Sequence, residues 1–559
     1  MAEFRKMLDR LGLSCVFHAH IGSGELHLRP ILNLKKPEDV DLFRSVAKET
    51  ALLVKKYHGS LSGEHGDGRL RGEFIELMYG PYLYNLMREV KRVFDPDTIF
   101  NNNKIVDTPP MNSHLRYDVG KESPEYKTYF DYSAQGGWLR AIEQCNGAGD
   151  CRKAPQFGGT MCPSFRSTGR EQDVTRGRAN ILRELLTRPR VSKVFNQKEI
   201  IEALDLCLSC KACKSECPSN VDMTRYKAEF MQHHYDSTFF PSFRSFLVSH
   251  MADIERLGAL VPAIYNFCAS NRVTSAVIKY FVRFSQKRSL PRIMENSVEK
   301  FIKSAKMPDK GKKIYFFLDE FTRFNDGATG IVFVKLMMAL GYDVVVPRHV
   351  ESGRASMSKG MLKSARKFAR RNITLMEDLV NEKTPLVGLE PSAILSFRDE
   401  YPDIAGNGFK EKALELSKNV LLYDEFIMRE VAAGRITSDC FVDDPLEIKL
   451  HGHCHQKAIV STDPSRNMLS LPVNYKVDVI PSGCCGMAGS FGYEKEHYEV
   501  SMSIGEQVLF PAVRGAGEKT VIAAPGVSCR QQIKDGTGRI ALHPVEILYN
   551  ALKPIQGQA

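Results

Sequence analysis

Long hydrophobic runs are missing from this sequence. No stretch reaches the roughly eighteen uninterrupted apolar residues of a membrane span, and the closest, 258–269, is short. An apolar secretory segment after Met1 is missing too, and the basic stretches lack the interleaved aromatic residues and the motifs typical of nucleic-acid binding. These absences predict no nucleic-acid partner and a cytoplasmic location, at most peripheral on the inner face of a membrane.

Cysteine, by contrast, is plentiful, with 14 residues clustered in motifs along 559 positions. Clustered thiols favour metal or iron–sulfur binding in a reducing compartment over disulfides. The length is enough for about three or four domains. The net charge of +11 is enriched between residues 279 and 313. That segment is either a solvated linker face or a docking surface for an anionic membrane or an acidic electron-transfer partner.

The run from Cys207 to Pro218 has the cysteine spacing of bacterial ferredoxins. Three thiolates two residues apart bind one corner of a [4Fe-4S] cluster, and the fourth, before proline, ligates a second cluster. The sequence therefore predicts one cluster on Cys162, Cys207, Cys210 and Cys213. A structural zinc site is the alternative, but it needs paired cysteines at longer separations.

An altered partner motif lies upstream of this run. Cys145 and Cys151 keep the expected three-residue steps, but Ala148 stands where a thiolate is expected between them. Cys217 of the other motif would ligate the same cluster as Cys145 and Cys151, so this first cluster has three thiolates. It is then a three-iron cluster, a cluster with a non-cysteine ligand, or absent.

The N-terminal region combines an alternating, strand-like pattern around a Gly-Ser-Gly turn, a helical pattern from Glu38 to about Gly59, and a glycine-rich run. His20, His27 and Glu64 are predicted to bind a divalent metal such as Zn²⁺. The metal would hold a 2-hydroxy acid, and His65 beside it would take the hydroxyl proton as hydride leaves C2. The alternative is that these histidines only hydrogen-bond a turn.

Residues 16–105 carry the motifs HIGSGELH, GSLSGEHGDGRL and FDPDTIFNNNKI. They resemble the C-terminal end of the cap domain in FAD-linked D-lactate, glycolate and D-2-hydroxyglutarate dehydrogenases. The resemblance implies that His20, His27 and Glu64 bind the metal and that His65 is the base. Ser23 and Glu25 stand where the common pattern has aspartate and asparagine, which leaves the substrate open.

In that family a flavin-binding domain precedes the cap, whereas Met1 lies almost at the motif. The resemblance therefore implies the C-terminal half of a fused dehydrogenase, present as a split-gene subunit or an interrupted reading frame. FAD is expected to be held mainly by a flavin-binding partner subunit.

An internal repeat marks the C-terminal region, where Gly341–Pro347 is similar to Tyr475–Pro481. The repeat predicts two related α/β lobes. The second lobe has Cys454, the pair Cys484-Cys485 before glycine, and Cys529, and it resembles the CCG domain of heterodisulfide-reductase and anaerobic glycerol-3-phosphate dehydrogenase subunits. The resemblance implies that these four cysteines ligate an iron–sulfur or other metal centre. A buried reduced pair without a cofactor is the alternative.

The first lobe has the run Glu351-Ser-Gly-Arg where the cysteine pair would stand. At most one such centre is therefore expected in the two lobes.

The predicted fold is multidomain, α+β and α/β. Its segments are a cap-domain tail (1–108), a linker (109–135), a helical ferredoxin-like iron–sulfur domain (136–235), a helical basic connector (236–312) and a two-lobed CCG domain (313–559).

The predicted function is the iron–sulfur part of a flavin-dependent D-2-hydroxy-acid dehydrogenase of the D-lactate or D-2-hydroxyglutarate type. Electrons would pass from substrate-reduced FAD through [4Fe-4S] clusters to an acceptor such as a quinone or a carrier at the membrane surface. The alternative is a non-catalytic, heterodisulfide-reductase-like electron carrier or a degenerate fragment.

Overall fold

The structure is a computed structural model that describes residues 1–121, 124–187, 194–238, 240–294, 297–306, 308 and 311–554. The chain divides into two compact units, Met1–Ser123 and Pro124–Ala559. This division falls within the segment 109–135 for which the sequence predicts a linker. The finer domain limits stay predictions.

The first unit is built around an antiparallel hairpin. Its elements are α1 (Ala2–Leu11), β1 (Cys15–His20), β2 (Glu25–Pro30), α2 (Pro37–Lys56) and α3 (Ile75–Phe94). Helix α2 begins with proline, carries acidic residues in its first turn and ends on two lysines, all of which favour a helix at those positions. Phe4 and Leu8 of α1 pack with Val46 of α2 in a small core. The hairpin is thereby fixed against two helices.

The second unit begins with the helical region that carries the ferredoxin-type cysteines. Its helices are α4 (Trp138–Glu143), α5 (Pro163–Thr168), α6 (Thr175–Thr187), α7 (Lys198–Asp205), α8 (Ala212–Glu216) and α9 (Met223–Thr238). Helices α6 and α7 lie between the two cysteine motifs. The cysteines lie in the short loops between these helices, so helix packing sets their positions.

A set of short helices follows and connects this region to the lobes. They are α10 (Phe243–Ser249), α11 (Met251–Gly258), α12 (Pro262–Ser270), α13 (Arg272–Phe281) and α14 (Val298–Ser304). Their surfaces expose large apolar side chains, for example Phe243, Ile264 and Phe281. Within the part of the chain that the structure describes, no helix has the length and apolar character to cross a membrane.

The first lobe is a four-stranded parallel sheet with helices around it. Its strands are β3 (Lys312–Phe317), β4 (Tyr342–Val345), β5 (Leu386–Gly388) and β6 (Val420–Leu422). Its helices are α15 (Glu320–Phe324), α16 (Gly327–Ala339), α17 (Arg354–Ser358), α18 (Leu362–Met376), α19 (Pro391–Ile394), α20 (Ser396–Asp399), α21 (Tyr401–Ile404), α22 (Lys410–Ser417) and α23 (Tyr423–Ala432).

The second lobe has the same design. Its strands are β7 (Leu446–Leu450), β8 (Tyr475–Val479), β9 (Val521–Ala523) and β10 (Ala541–Leu542). Its helices are α24 (Cys454–Ile459), α25 (Asp463–Leu469), α26 (Tyr498–Glu506), α27 (Leu509–Arg514), α28 (Val527–Thr537) and α29 (Pro544–Asn550).

Both sheets have one strand order. The first sheet has the order β4–β3–β5–β6 and the second has the order β8–β7–β9–β10. In each lobe the first strand therefore pairs with the second strand on one side and with the third strand on the other. The repeated segments of the sequence, Gly341–Pro347 and Tyr475–Pro481, contain β4 and β8. Phe316 and Val387 of one sheet share a buried core with Ile448 and Ala523 of the other. The predicted fold class, multidomain with a two-lobed α/β part, is confirmed.

Candidate functional site

Four side chains of the first unit converge at the hairpin. His20 lies opposite Glu25 in the register of β1 and β2, and His27 follows on the same face. The ligand atoms of His20, Glu25, His27 and Glu64 all lie within 4.8 Å of one another. Glu64 Oε1 lies 3.7 Å from His20 Nε2 and 3.2 Å from His27 Nε2. Two imidazoles and two carboxylates form a donor set that fits a divalent cation.

His65 extends this cluster, because its Nε2 lies 3.0 Å from the same oxygen, Glu64 Oε1. Gly63 leaves room for the Glu25 side chain, because a β-carbon at position 63 would lie only 2.6 Å from Glu25 Oε1. Glu25 is not among the ligands that the sequence predicts, although its place directly across the hairpin from His20 is a signal for it. The cluster is open to solvent, with the His65 side chain 65% exposed.

The ferredoxin-type cysteines of the second unit separate into the two predicted sets. Cys145, Cys151 and Cys217 line one small cavity, and Ala148 lines it with them. Burial raises the pKa of the Cys151 thiol to about 12. A buried thiol of this kind is protonated unless a metal replaces the proton. Three thiols around one cavity therefore fit a cluster with three protein thiolates and one position without a thiolate.

Cys162, Cys207, Cys210 and Cys213 form the second set. The pKa of Cys213 is raised well above its ordinary value, first by burial and then by negative charge that includes the other three thiols. Thr175 donates from its backbone N–H to Cys162 Sγ at 3.0 Å, and its hydroxyl lies 2.9 Å from the same sulfur. Hydrogen bonds to sulfur tune the reduction potential of an iron–sulfur cluster. Four thiols together fit a [4Fe-4S] cluster.

The loop that carries three of these cysteines is held from two sides. Lys211, fully buried, places its Nζ 2.5 Å from Asp399 Oδ2 and 2.9 Å from Glu400 Oε1 of the first lobe. His455 of the second lobe lies with Nε2 3.1 Å from the carbonyl oxygen of Ser209. Cysteine spacing gave no sign of these contacts, because their partners are more than 180 residues away along the chain.

The remaining motif cysteines meet in the second lobe. The thiol of Cys484 lies within hydrogen-bonding reach of Cys454 and of Cys485, and the thiol of Cys529 lies within reach of Cys485. These hydrogen bonds lower the pKa of Cys454 to about 6 and the pKa of Cys485 well below its ordinary value. Thiols that share protons in this way are close enough to bind a common metal or cluster.

His451 joins this set, although the sequence analysis did not select it. Its ring, Cys485 Sγ and Cys529 Sγ have ligand atoms within 4.8 Å of one another. Nδ1 lies 2.7 Å from the Ser482 hydroxyl, and the ring is also within hydrogen-bonding reach of the Cys485 thiol. Burial lowers the pKa of His451, so the imidazole is neutral, which is the form that binds metals. A neutral, buried imidazole grouped with two thiols fits a metal centre.

The second and third cysteine sets approach each other. Cys210 and Cys454 pack against one hydrophobic cluster that includes Cys484, and the negative charge of Cys454 contributes to raising the pKa of Cys210. At the other end, the charge of Cys162 contributes to raising the pKa of Cys151. The three sets therefore follow one another through the second unit, from Cys151 to the second lobe.

Comparison with known proteins assigns two segments of the chain. Residues 1–105 match the family of FAD linked oxidases, C-terminal domain. Residues 141–221 match the 4Fe-4S dicluster domain. No solved structure matches the chain.

Similarity to curated proteins covers more of the chain. It is 26% identical over a 605-residue alignment to D-2-hydroxyglutarate dehydrogenase of Escherichia coli (strain K12), which covers 99% of the chain and 57% of that protein. An anaerobic glycerol-3-phosphate dehydrogenase subunit of the same organism is 26% identical over 322 residues, 57% of the chain and 79% of that protein. D-lactate dehydrogenase of Archaeoglobus fulgidus is 30% identical over 101 residues, 18% of the chain and 22% of that protein.

The chain thus spans little more than half the length of the dehydrogenases that it matches over nearly all its residues. It combines a C-terminal segment of the FAD-linked oxidase type with a 4Fe-4S dicluster segment, the parts of a flavin-linked iron–sulfur oxidoreductase.

Proposed function

We propose that this chain is the iron–sulfur part of a FAD-linked D-2-hydroxy-acid dehydrogenase and works with a flavin-binding partner subunit. The observation that carries the proposal is the succession of three cysteine sets through the second unit. A small hydroxy acid is the substrate, and D-2-hydroxyglutarate is the first to test, because the relatives that match almost the whole chain are named for it.

In the first unit, His20, His27 and Glu64 hold a divalent cation such as Zn²⁺, and Glu25 supplies a further oxygen. A cation held by these residues would supply a Lewis acid that orients the hydroxyl and carboxylate of the substrate. His65 takes the hydroxyl proton, and hydride leaves C2, so that the hydroxy acid becomes a 2-oxo acid. FAD supplies the hydride acceptor when the partner subunit brings it.

In the second unit, Cys145, Cys151 and Cys217 hold the first cluster, and Cys162, Cys207, Cys210 and Cys213 hold a [4Fe-4S] cluster. Cys454, Cys484, Cys485 and Cys529 hold a third centre, with His451 as an additional ligand. Electrons pass along these centres to a quinone or to a carrier at the membrane surface. The protein acts in the cytoplasm, peripherally at the inner face of the membrane.

The test is anaerobic purification followed by iron and acid-labile sulfide counts and EPR before and after dithionite, with and without a co-expressed flavin-binding partner. We expect about seven to eight irons from the two ferredoxin-type sets, with any excess assigned to the second lobe. Flavin and D-2-hydroxyglutarate turnover should arrive only with the partner. A protein purified anaerobically without iron would overturn the proposal.

A second candidate function is a non-catalytic electron carrier. The similarity to the anaerobic glycerol-3-phosphate dehydrogenase subunit over 57% of the chain favours it. A carrier would be reduced by dithionite and by a reduced flavoprotein, but 2-hydroxy-acid turnover would not depend on His65.

A further inference from the structure

A cavity of about 1060 Å³ lies in the second unit, against the third cysteine set. Cys454, Cys484, Cys485 and Cys529 all line it. The connector also contributes to its lining, where helix α13 supplies Ala276 and Lys279 among others. A cavity of this size holds a small molecule, and this one brings that molecule to the thiols.

The lining of the cavity is largely apolar. Its apolar side chains include Leu208, Val248, Met251, Phe284 and Leu290. Apolar walls with a few polar groups are the common design of sites for ring-bearing ligands, because burial of the rings drives binding and the polar groups fix their orientation.

The charged groups of the cavity are mainly cationic, although the carboxylate of Glu390 also lines it. Lys279 is only 8% exposed, and its Nζ donates to the carbonyl oxygens of Gln286 at 3.2 Å and Arg288 at 3.1 Å. Among the described residues, no carboxylate lies within ion-pair distance of this ammonium. An ammonium has three N–H donors, so one remains for a ligand oxygen. Arg272 and Arg292, both exposed, add positive charge to the lining.

The outer face of the same helix is unusually apolar. Val273, Val277, Tyr280 and Phe281 of α13 are 70%, 51%, 76% and 70% exposed. Exposed apolar residues beside basic ones are typical of surfaces that contact lipid. One face of α13 thus lines the cavity while another offers a surface through which a lipophilic ligand can arrive.

We propose that this cavity binds a quinone and is where electrons leave the chain, an inference that rests on the proposed function. The quinone takes two electrons, one at a time, from the centre at Cys454, Cys484, Cys485 and Cys529, and two protons from solvent water, and becomes a quinol. The electrons come from the reduced flavin of the partner subunit. Lys279 is a positioning residue that donates to one carbonyl oxygen of the quinone.

The first test measures binding, without turnover, by isothermal titration calorimetry of the anaerobically purified full chain with menadione and with ubiquinone-1. Ala276→Trp places an indole in the cavity, whereas Val277→Trp, one residue further along, places it on the exposed face. We expect saturable binding that Ala276→Trp weakens by at least about tenfold and Val277→Trp leaves within about twofold. Absence of binding by the unaltered chain, or equal affinities in both variants, would overturn the proposal.

A second variant guards against misfolding as the cause. Lys279→Met removes the donor but keeps the length of the side chain, and we expect it to weaken quinone binding while iron content and the thermal unfolding midpoint stay near those of the unaltered chain. Undiminished quinone binding by Lys279→Met would remove Lys279 from its positioning role.

Reduction of ferricyanide by the chain with its flavin partner and D-2-hydroxyglutarate separates the two proposals. Ferricyanide reduction without quinone binding would overturn the cavity assignment alone. Loss of both would overturn the proposed function as well.

Discussion

The hydroxyl of Ser352 donates a hydrogen bond to Glu320 Oε1 at 2.6 Å, and its backbone N–H donates to Oε2 at 3.0 Å. Ser352 of the first lobe is the counterpart of Cys485 of the second lobe. Each residue precedes a glycine with positive φ, which is 74° at Gly353 and 96° at Gly486. A buried carboxylate and its donors therefore occupy the site where the second lobe gathers thiols. At this position the first lobe has a hydrogen-bonded carboxylate in place of a thiol.

Ser352→Ala removes one of the two donors to a carboxylate that is 4% exposed. Because a buried acceptor without its partner is costly, we expect a loss of about 1–3 kcal/mol in the free energy of unfolding, measured by urea denaturation. Ser358→Ala, which removes only a local bond to the carbonyl of Ala355, is the control and should change stability far less. Equal losses in the two variants would contradict the role assigned to Ser352.

Lys211→Met leaves Asp399 and Glu400 buried without one of their cations. We expect a loss of about 3 kcal/mol in the free energy of unfolding and a lower iron content, because the lysine lies between two cysteines of the cluster loop. Lys214→Met is the matched control, since Lys214 also pairs with Asp399 but is 34% exposed, and its effect should be below about 1 kcal/mol. Guanidinium denaturation and iron analysis of the anaerobic proteins measure both quantities. If Lys214→Met proved as harmful as Lys211→Met, burial would not be the reason.

Ala148→Cys adds a fourth thiol to the cavity that Cys145, Cys151 and Cys217 line. If the first cluster has three irons because a thiolate is missing, we expect iron to rise by about one per chain and the EPR spectrum of the oxidised protein to change. Ala148→Ser is the control, because it is similar in size but is a poor iron ligand. Unchanged iron in the cysteine variant would instead favour a non-cysteine ligand or an absent cluster.

His65→Asn removes the proposed base, whose Nε2 lies 3.0 Å from Glu64. We expect turnover of D-2-hydroxyglutarate by the reconstituted enzyme to fall at least about a hundredfold, while iron content stays constant. His58→Asn is a matched control in the same unit, at a position with φ of 53° that asparagine tolerates. Steady-state kinetics with the flavin partner distinguish the two, and full activity in His65→Asn would remove this residue from the mechanism.

Asp319 caps helix α15, with Oδ1 accepting from the N–H groups of Phe321 and Thr322. Burial, with help from the charges of Glu320 and Glu390, raises its pKa from 3.8 to about 8. The folded chain therefore keeps a proton that the unfolded chain releases, so the free energy of unfolding should fall as pH rises from about 4 to about 8.

Asp319→Asn keeps the cap but cannot ionise, and we expect it to flatten this pH dependence in urea titrations at several pH values. Asp463→Asn at an exposed helix start is the control. A slope that Asp319→Asn leaves unchanged would assign the pH dependence to other groups.

Local patterns predicted much of this molecule. The Gly-Ser-Gly turn predicted the hairpin that places His20 and His27 on one face, and the repeated segments predicted strands that the two lobes use in the same order. Cysteine spacing predicted which thiols of the ferredoxin-type motifs would meet. Each of these depends on residues close together in the sequence or on self-similarity.

What escaped prediction depends on distant partners. His451 beside Cys529 is set by two parallel strands whose ends meet only when the sheet forms. The pairing of Lys211 with Asp399 and the cavity beside α13 likewise require the packing of whole domains. No local pattern marks such residues, because a buried lysine or histidine looks the same in sequence as an exposed one.

The loop from Cys207 to Cys213 is tied to the first lobe through Lys211 and to the second through the carbonyl of Ser209. Such a loop has little freedom to shift when the charge of a bound cluster changes. Electron transfer is fastest when the surroundings rearrange least, so a loop held on both sides keeps the reorganisation energy low. In the proposed function, the first lobe, which has no thiols at the repeated site, would contribute to electron transfer by keeping the neighbouring centre still.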